Sequence, residues 1–159
     1  MLLRTNLRLF FILGLFIIYT TSCNKEKYDV IPDENIDFNI DVNDIEFSSL
    51  YAIGNFVYIN SNTNNWGRNA GGYDGNGIIV FSSNLDEFSA YDRTCPHDFA
   101  VNGLSIKVNV DFTIAVCPKC GTTYALSVGG TPASGIGQYP LKNYHNSFDG
   151  RFIHVWNYR

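Results

Sequence analysis

Apolar and polar residues alternate with period two from Ile36: Ile36, Phe38, Ile40 and Val42 fall on one side, Asp37, Asn39, Asp41 and Asn43 on the other. A strand with one buried face has this pattern, and its acidic side discourages stray edge pairing. Residues 47–59 are apolar and aromatic around Gly54, which predicts strand, kink, strand, with Phe56, Val57, Tyr58 and Ile59 as the second piece. Residues 78–81 and 88–91 predict two short strands about a polar turn. Residues 105–110 alternate, residues 113–116 run straight into Cys117, and residues 124–126 precede a Gly129-Gly130 turn. Residues 141–146 and 151–156 flank Ser147-Phe148-Asp149-Gly150, an Asp-Gly hairpin signal. No helical periodicity of useful length appears after residue 22. Roughly eight to ten short strands with turn punctuation predict an all-β fold, an antiparallel sandwich or small barrel.

Composition agrees with that class. The 159 residues leave room for one domain, and 12 Phe, 10 Tyr and 14 Gly suit pleated sheets joined by tight turns. The formal net charge of −4 offers no basic footprint for nucleic acid. Four cysteines, at 23, 95, 117 and 120, are too few to staple a scaffold of this size.

The N-terminus reads as an address. Arg4 and Arg8 precede an eleven-residue apolar run, residues 9–19. Such a run is too short to span a ~30 Å hydrocarbon core, which takes ~20 helical residues, and it predicts an export signal over residues 1–22. Thr20-Thr21-Ser22-Cys23 resembles the lipobox of bacterial lipoproteins, with Thr where Leu is usual. The resemblance implies a diacylated Cys23 as the mature N-terminus, membrane lipid as its partner, and a place in the cell envelope, at the outer membrane or the periplasmic face. The other reading is an ordinary secretory signal that contains a Cys. Cleavage would leave nine basic and fifteen acidic residues, a net −6. Residues 23–35 then form a polar, acidic tether and residues 36–159 the β domain. Arg4 and Arg8 are not adjacent, so there is no twin-arginine signal. The chain is expected to cross the membrane unfolded and to acquire any metal afterwards.

The chemistry concentrates in two loops. Cys95-Pro96-His97 is followed, after a gap of nineteen residues, by Cys117-Pro118-Lys119-Cys120-Gly121. A Cys-x-x-Cys turn brings two sulfurs to one side, and Cys-x-His can do so with a sulfur and an imidazole nitrogen. Pro96 and Pro118 fix φ and pre-set the turns. If the intervening residues fold back as a hairpin, the loops converge. They then hold a metal, form a disulfide, or preserve the scaffold of a lost centre.

These motifs resemble the Rieske family of [2Fe–2S] proteins, whose pattern is Cys-x-His followed by Cys-x-x-His, with two Cys on one iron and two His on the other. Cys95-Pro96-His97 matches the first half. In the second, Cys117, Pro118, Gly121 and the aromatic Tyr124 match, while Cys120 stands where the second His belongs. Gly129-Gly130, Gly135 and Pro140-Leu141 are similar to the family's glycines and to its Pro-Leu before the closing hairpin. The resemblance spans residues 91–155. It implies a Rieske-like β fold with two metal-site loops at one end, a [2Fe–2S] cluster, and electron transfer with a partner protein. Carried over by position, Cys95 and Cys117 would hold the inner iron, and His97 and Cys120 the outer one. A third thiolate would lower the potential below the Rieske range of about −150 to +300 mV.

Two alternatives keep the fold and change the chemistry. One is a structural zinc ion on the same four residues, which can bind after export. The other is a metal-free surface or interaction domain, with Cys95–Cys117 or Cys117–Cys120 as a disulfide in an oxidising envelope. Outside these loops, Trp66, Arg68 and Tyr73 lie in an Asn/Gly-rich loop, residues 60–77, which reads either as a binding surface or, the favoured reading, as a mobile insertion with a tucked aromatic. His145 and His154 read as a cross-strand surface pair. No base-activated nucleophile constellation for hydrolysis or acyl transfer is visible, and no phosphate-binding Gly loop.

Overall fold

A computed structural model describes residues 29–157. The expected signal segment and the expected lipidation site Cys23 lie outside the described residues. Within them the chain is all-β with one short helix, its antiparallel sheet curled into a half-barrel. The strands are β1 (Asp37–Asp41), β2 (Phe56–Ile59), β3 (Trp66–Arg68), β4 (Ile78–Asn84), β5 (Glu87–Asp92), β6 (Asn109–Asp111), β7 (Ile114–Val116), β8 (Thr123–Ala125), β9 (Thr131–Ser134), β10 (Asn143–Phe148) and β11 (Phe152–Trp156), with helix α1 (Pro96–Asn102) between β5 and β6. Seven strands form one sheet in the order β2-β4-β5-β10-β11-β1-β3, and β6-β7-β8-β9 form a second.

Strand β4 explains why there are two sheets. Its run Ile78-Ile79-Val80-Phe81 is apolar at every position, and a strand can bury such a run only if both faces are covered. Ile78 and Val80 point into a core with Ile36, Phe38, Ile40, Tyr144, Ile153 and Val155. Ile79 and Phe81 point the other way, into a second core with Tyr91, Val108, Ala115, Tyr124, Leu126 and Leu141. β5 divides likewise, Ala90 to the first core and Tyr91 to the second. The Tyr91 hydroxyl donates to the Leu126 carbonyl at 2.8 Å, fastening the small sheet to the large one. Cys95 and Cys117 line the second core. The metal-ligand loops therefore grow directly out of packed apolar structure.

Several local expectations are revised. Residues 47–59 begin with a 3-10 helix at Ser48–Tyr51 instead of a strand, and only Phe56–Ile59 pairs, with β4. The loop 60–77 contains the edge strand β3, whose Gly67 lies against the β1 backbone. A Cβ there would stand 2.3 Å from the Asp37 carbonyl oxygen, so the position tolerates only glycine. Residues 105–110 contribute one bridge, Thr94 to Lys107, and the start of β6.

Part of the acidic segment before residue 36 packs onto the domain. Ile31 is buried, and the Lys142 ammonium, itself buried, donates to Asp29 at 2.6 Å, to Asp33 at 2.7 Å and to the Ile31 carbonyl at 3.1 Å. The aspartates are far more exposed than the lysine. Removing them strands a buried cation, which costs more than replacing the lysine and leaving wet carboxylates. Asp29→Asn with Asp33→Asn is expected to destabilise the domain by ~3 kcal/mol, and Lys142→Met by clearly less, in urea unfolding. The opposite ranking would show that the clasp is not held by the buried charge.

Candidate metal centre

The first ligand loop is the start of a helix. Cys95 is the N-cap of α1, with extended φ −65° and ψ 113°, and Pro96 occupies the first turn, where a missing N–H costs nothing. Gly103 ends the helix in the left-handed region (φ 64°), its N–H reaching back to the Asp98 and Phe99 carbonyls. On a helix, residues three apart are neighbours and residues two apart face differently. Asp98, three beyond Cys95, is therefore brought beside it. His97, two beyond, is directed elsewhere and is only half-buried.

The second loop is a tight turn between β7 and β8. The Cys117 N–H donates to the Thr122 carbonyl at 2.9 Å and the Gly121 N–H to the Cys117 carbonyl at 3.0 Å. Gly121 sits at φ 70° with open space around it, so conformation and not crowding selects glycine here. A third loop braces this turn: Gly137 N–H donates to Thr122 Oγ1 at 2.9 Å, and a Cβ on Gly135 would stand 2.7 Å from Thr122 Cα.

Together these loops place one ligand atom from each of Cys95, Asp98, Cys117 and Cys120 within 4.8 Å of one another. The Cys95 and Cys120 sulfurs are 3.7 Å apart, and the Cys117 thiol donates to Asp98 Oδ2 at 3.0 Å. Tyr124, fully buried, places its hydroxyl 3.4 Å from Cys95 Sγ, and Cys120 Sγ lies 3.3 Å from Thr122 Oγ1. Of the sequence-predicted ligands, Cys95, Cys117 and Cys120 come together and His97 is not in the group. Asp98 is. Nothing in the residue pattern singled it out, but a helix start at Pro96 would have done so.

Burial dominates the electrostatics. It pushes the Cys95 and Cys117 thiols up, against backbone N–H groups of Asp98 on Cys95 and of Cys120 and Lys119 on Cys117 that favour the thiolate. Burial also pushes Tyr124 up, and the neighbouring sulfurs add to it. Asp98 ends below the ordinary carboxylate range. Burial raises it, but hydrogen bonds from Cys117, Cys120 and Cys95 outweigh that, with the nearby His97 charge adding. The three cysteines are free thiols.

The other singled-out residues are accounted for structurally. His145 registers with Trp156, and His154 with Ser147, so the two histidines are not directly opposite. The Trp156 ring stacks on both imidazoles, at centroid distances of 5.8 and 4.7 Å, and His154 Nε2 lies 2.8 Å from Asp37 Oδ1. Trp66 packs edge-on against Phe152, and Tyr73 against Phe99 of α1. Arg68 registers opposite Asp37.

No family model matches this chain, and no curated protein matches it. Among solved structures, it is similar to a chain of the complex of reduced oxygenase and oxidized ferredoxin in carbazole 1,9a-dioxygenase, at 19% identity over 65% of this chain and 90% of that one, with a TM-score of 0.42. It is also similar to Sphingomonas yanoikuyae B1 ferredoxin, at 20% identity over 52% of this chain and 76% of that one, with a TM-score of 0.37.

Exposure and protonation order the thiols by reactivity. In metal-free protein, Cys120, the only partly exposed thiol of the three, is expected to be alkylated first, and Cys95 and Cys117 only at the rate of local opening. Timed iodoacetamide labelling with peptide mass spectrometry reads the order. Equal labelling of all three would show that the second core does not close over the loops.

Proposed function

We propose that this chain is an exported lipoprotein, anchored in the cell-envelope membrane through acylated Cys23, whose β domain carries a thiolate-bound metal centre. The observation that supports this reading is the convergence of three thiols and a carboxylate from two separate loops at one end of the domain. Three soft sulfurs select thiophilic metals over magnesium or calcium. The donors are rooted in a packed core, so they are oriented before a metal arrives.

The two-iron cluster implied by the Rieske resemblance needs donors on two irons, and position by position that means His97 and Cys120 sharing the outer one. The donors that come together include Asp98 in place of His97, with Cys120 beside Cys95. The iron–iron separation would hold such groups farther apart than these are. The quartet does not fit that cluster in that ligand assignment, and no chemistry is derived through it. Electron transfer to a partner protein is the second reading. It is favoured by the partial exposure of Cys120, which would bring a bound iron to the surface of the domain.

The test is made on full-length protein expressed with its own signal. Metal analysis of the purified membrane fraction is expected to find a stoichiometric transition metal, lost in Cys117→Ala. Cys23→Ser is expected to release the protein from the membrane. Absence of every thiophilic metal, with no uptake on addition, would refute the metal-binding reading. Iron with a reversible redox wave would select electron transfer, and redox-silent metal would exclude it.

A further inference from the structure

We infer that Cys95, Asp98, Cys117 and Cys120 form a closed four-ligand site for one divalent cation, zinc before iron, with Asp98 and not His97 as the fourth ligand. This rests on the metal-binding reading above and specifies it.

The spacing carries the inference. Four donors around one tetrahedral ion, at ~2.3 Å for sulfur and ~2.0–2.2 Å for carboxylate oxygen, stand about 3.5–3.8 Å from each other. The Cys95 and Cys120 sulfurs are 3.7 Å apart, Cys117 Sγ and Asp98 Oδ2 are 3.0 Å apart, and every pair lies within 4.8 Å. These separations depart from the tetrahedral ones by about 1 Å or less, a distance that side-chain rotation can cover. The second donor residue of each loop is fixed by local geometry. Cys95 and Asp98 are three apart at a helix start, and Cys117 and Cys120 are three apart in a turn. Both pairs therefore present two atoms to one point.

The surroundings match a thiolate site. The Tyr124 hydroxyl, 3.4 Å from Cys95 Sγ, can donate to that sulfur once it is a thiolate, offsetting part of the charge that three thiolates and a carboxylate bring. Four protein ligands leave no open position, which is the pattern of a structural ion and not of a catalytic one. There is a structural task for it. Of the residues of α1, only Pro96 and Asp98 are buried, and Val101 is well exposed, so packing alone ties this helix weakly to the domain. A metal joining Cys95 and Asp98 to the β7–β8 turn would supply the tie.

The experiment uses purified full-length protein, assayed for metal and acid-labile sulfide, with a further portion stripped and titrated with Zn²⁺ and with Co²⁺ as the spectroscopic probe. One zinc per chain with no labile sulfide is expected, and a tetrahedral thiolate spectrum with Co²⁺. Asp98→Ala should weaken zinc binding by more than the roughly 10–100-fold that losing an outer-shell partner costs. His97→Ala should leave the spectrum unchanged and weaken binding far less than Asp98→Ala does. Asp98→Cys, which restores a donor, should recover the spectrum and so separate a missing ligand from a misfolded loop. Two irons and two sulfides per chain would overturn the single-ion site while sparing the metal-binding reading. So would loss of binding in His97→Ala with retention in Asp98→Ala, or an Asp98→Cys chain that folds by circular dichroism but gives no spectrum. Failure to bind any metal would defeat both readings together.

Discussion

Gathering three thiols and a carboxylate within 4.8 Å of one another, mostly out of water, is the constraint on which this molecule turns. Without a cation, burial favours the protonated thiols of Cys95 and Cys117, because negative charges side by side out of water are costly. The fold answers with partial measures. The Cys117 thiol donates to Asp98, and the Tyr124 hydroxyl approaches Cys95. These satisfy the metal-free state well enough for it to fold, and they leave the donors already aimed at a common point. A cation would replace the thiol protons and keep the geometry.

The rest of the architecture serves to hold that end of the domain. β4, apolar on both faces, makes a second core possible, and that core seats Cys95 and Cys117. The small sheet is a short meander whose β7–β8 turn is the Cys-Pro-Lys-Cys loop itself. Even the downstream glycines belong to this support, since Gly135 and Gly137 let the next loop close against Thr122 and brace the turn from outside. Gly130 does the same one layer deeper, where a Cβ would sit 3.1 Å from the Tyr91 ring and from Leu141. The domain is thus two cores sharing one strand pair, with the donor set at the end of the smaller one.

Much of this was legible in the sequence because period-two patterns and turn residues are local signals. β1, β4, β5, β7, β8 and the Asp149-Gly150 turn lie close to where alternation and Gly put them. The loops bearing Cys95, Cys117 and Cys120 were marked by residue type alone. What escaped depends on partners distant in the chain. β3 is three exposed residues, Trp66–Arg68, held by backbone pairing to β1 and carrying no hydrophobic signature. α1 is seven residues long, under two turns, too short for periodicity to register. Ile31 and the Lys142 clasp required knowing that residue 142 would be buried beside residues 29 and 33.

Missing α1 had a consequence larger than its length. Read as a tight turn, Cys95-Pro96-His97 offers its third residue as the partner donor, and the resemblance to Cys-x-His follows. Wound into a helix from Pro96, the same residues rotate His97 off that face and bring Asp98 onto it. The acid is buried, while the histidine is only half-buried. One turn of helix thus separates a sulfur–imidazole loop from a sulfur–carboxylate loop with no change in the cysteines. A carboxylate is a harder, more negative donor than imidazole, so it favours a closed-shell divalent ion over the lower-charge environment that raises a cluster's potential. Local backbone conformation, more than the inventory of ligating residue types, decides which metal chemistry these loops can support.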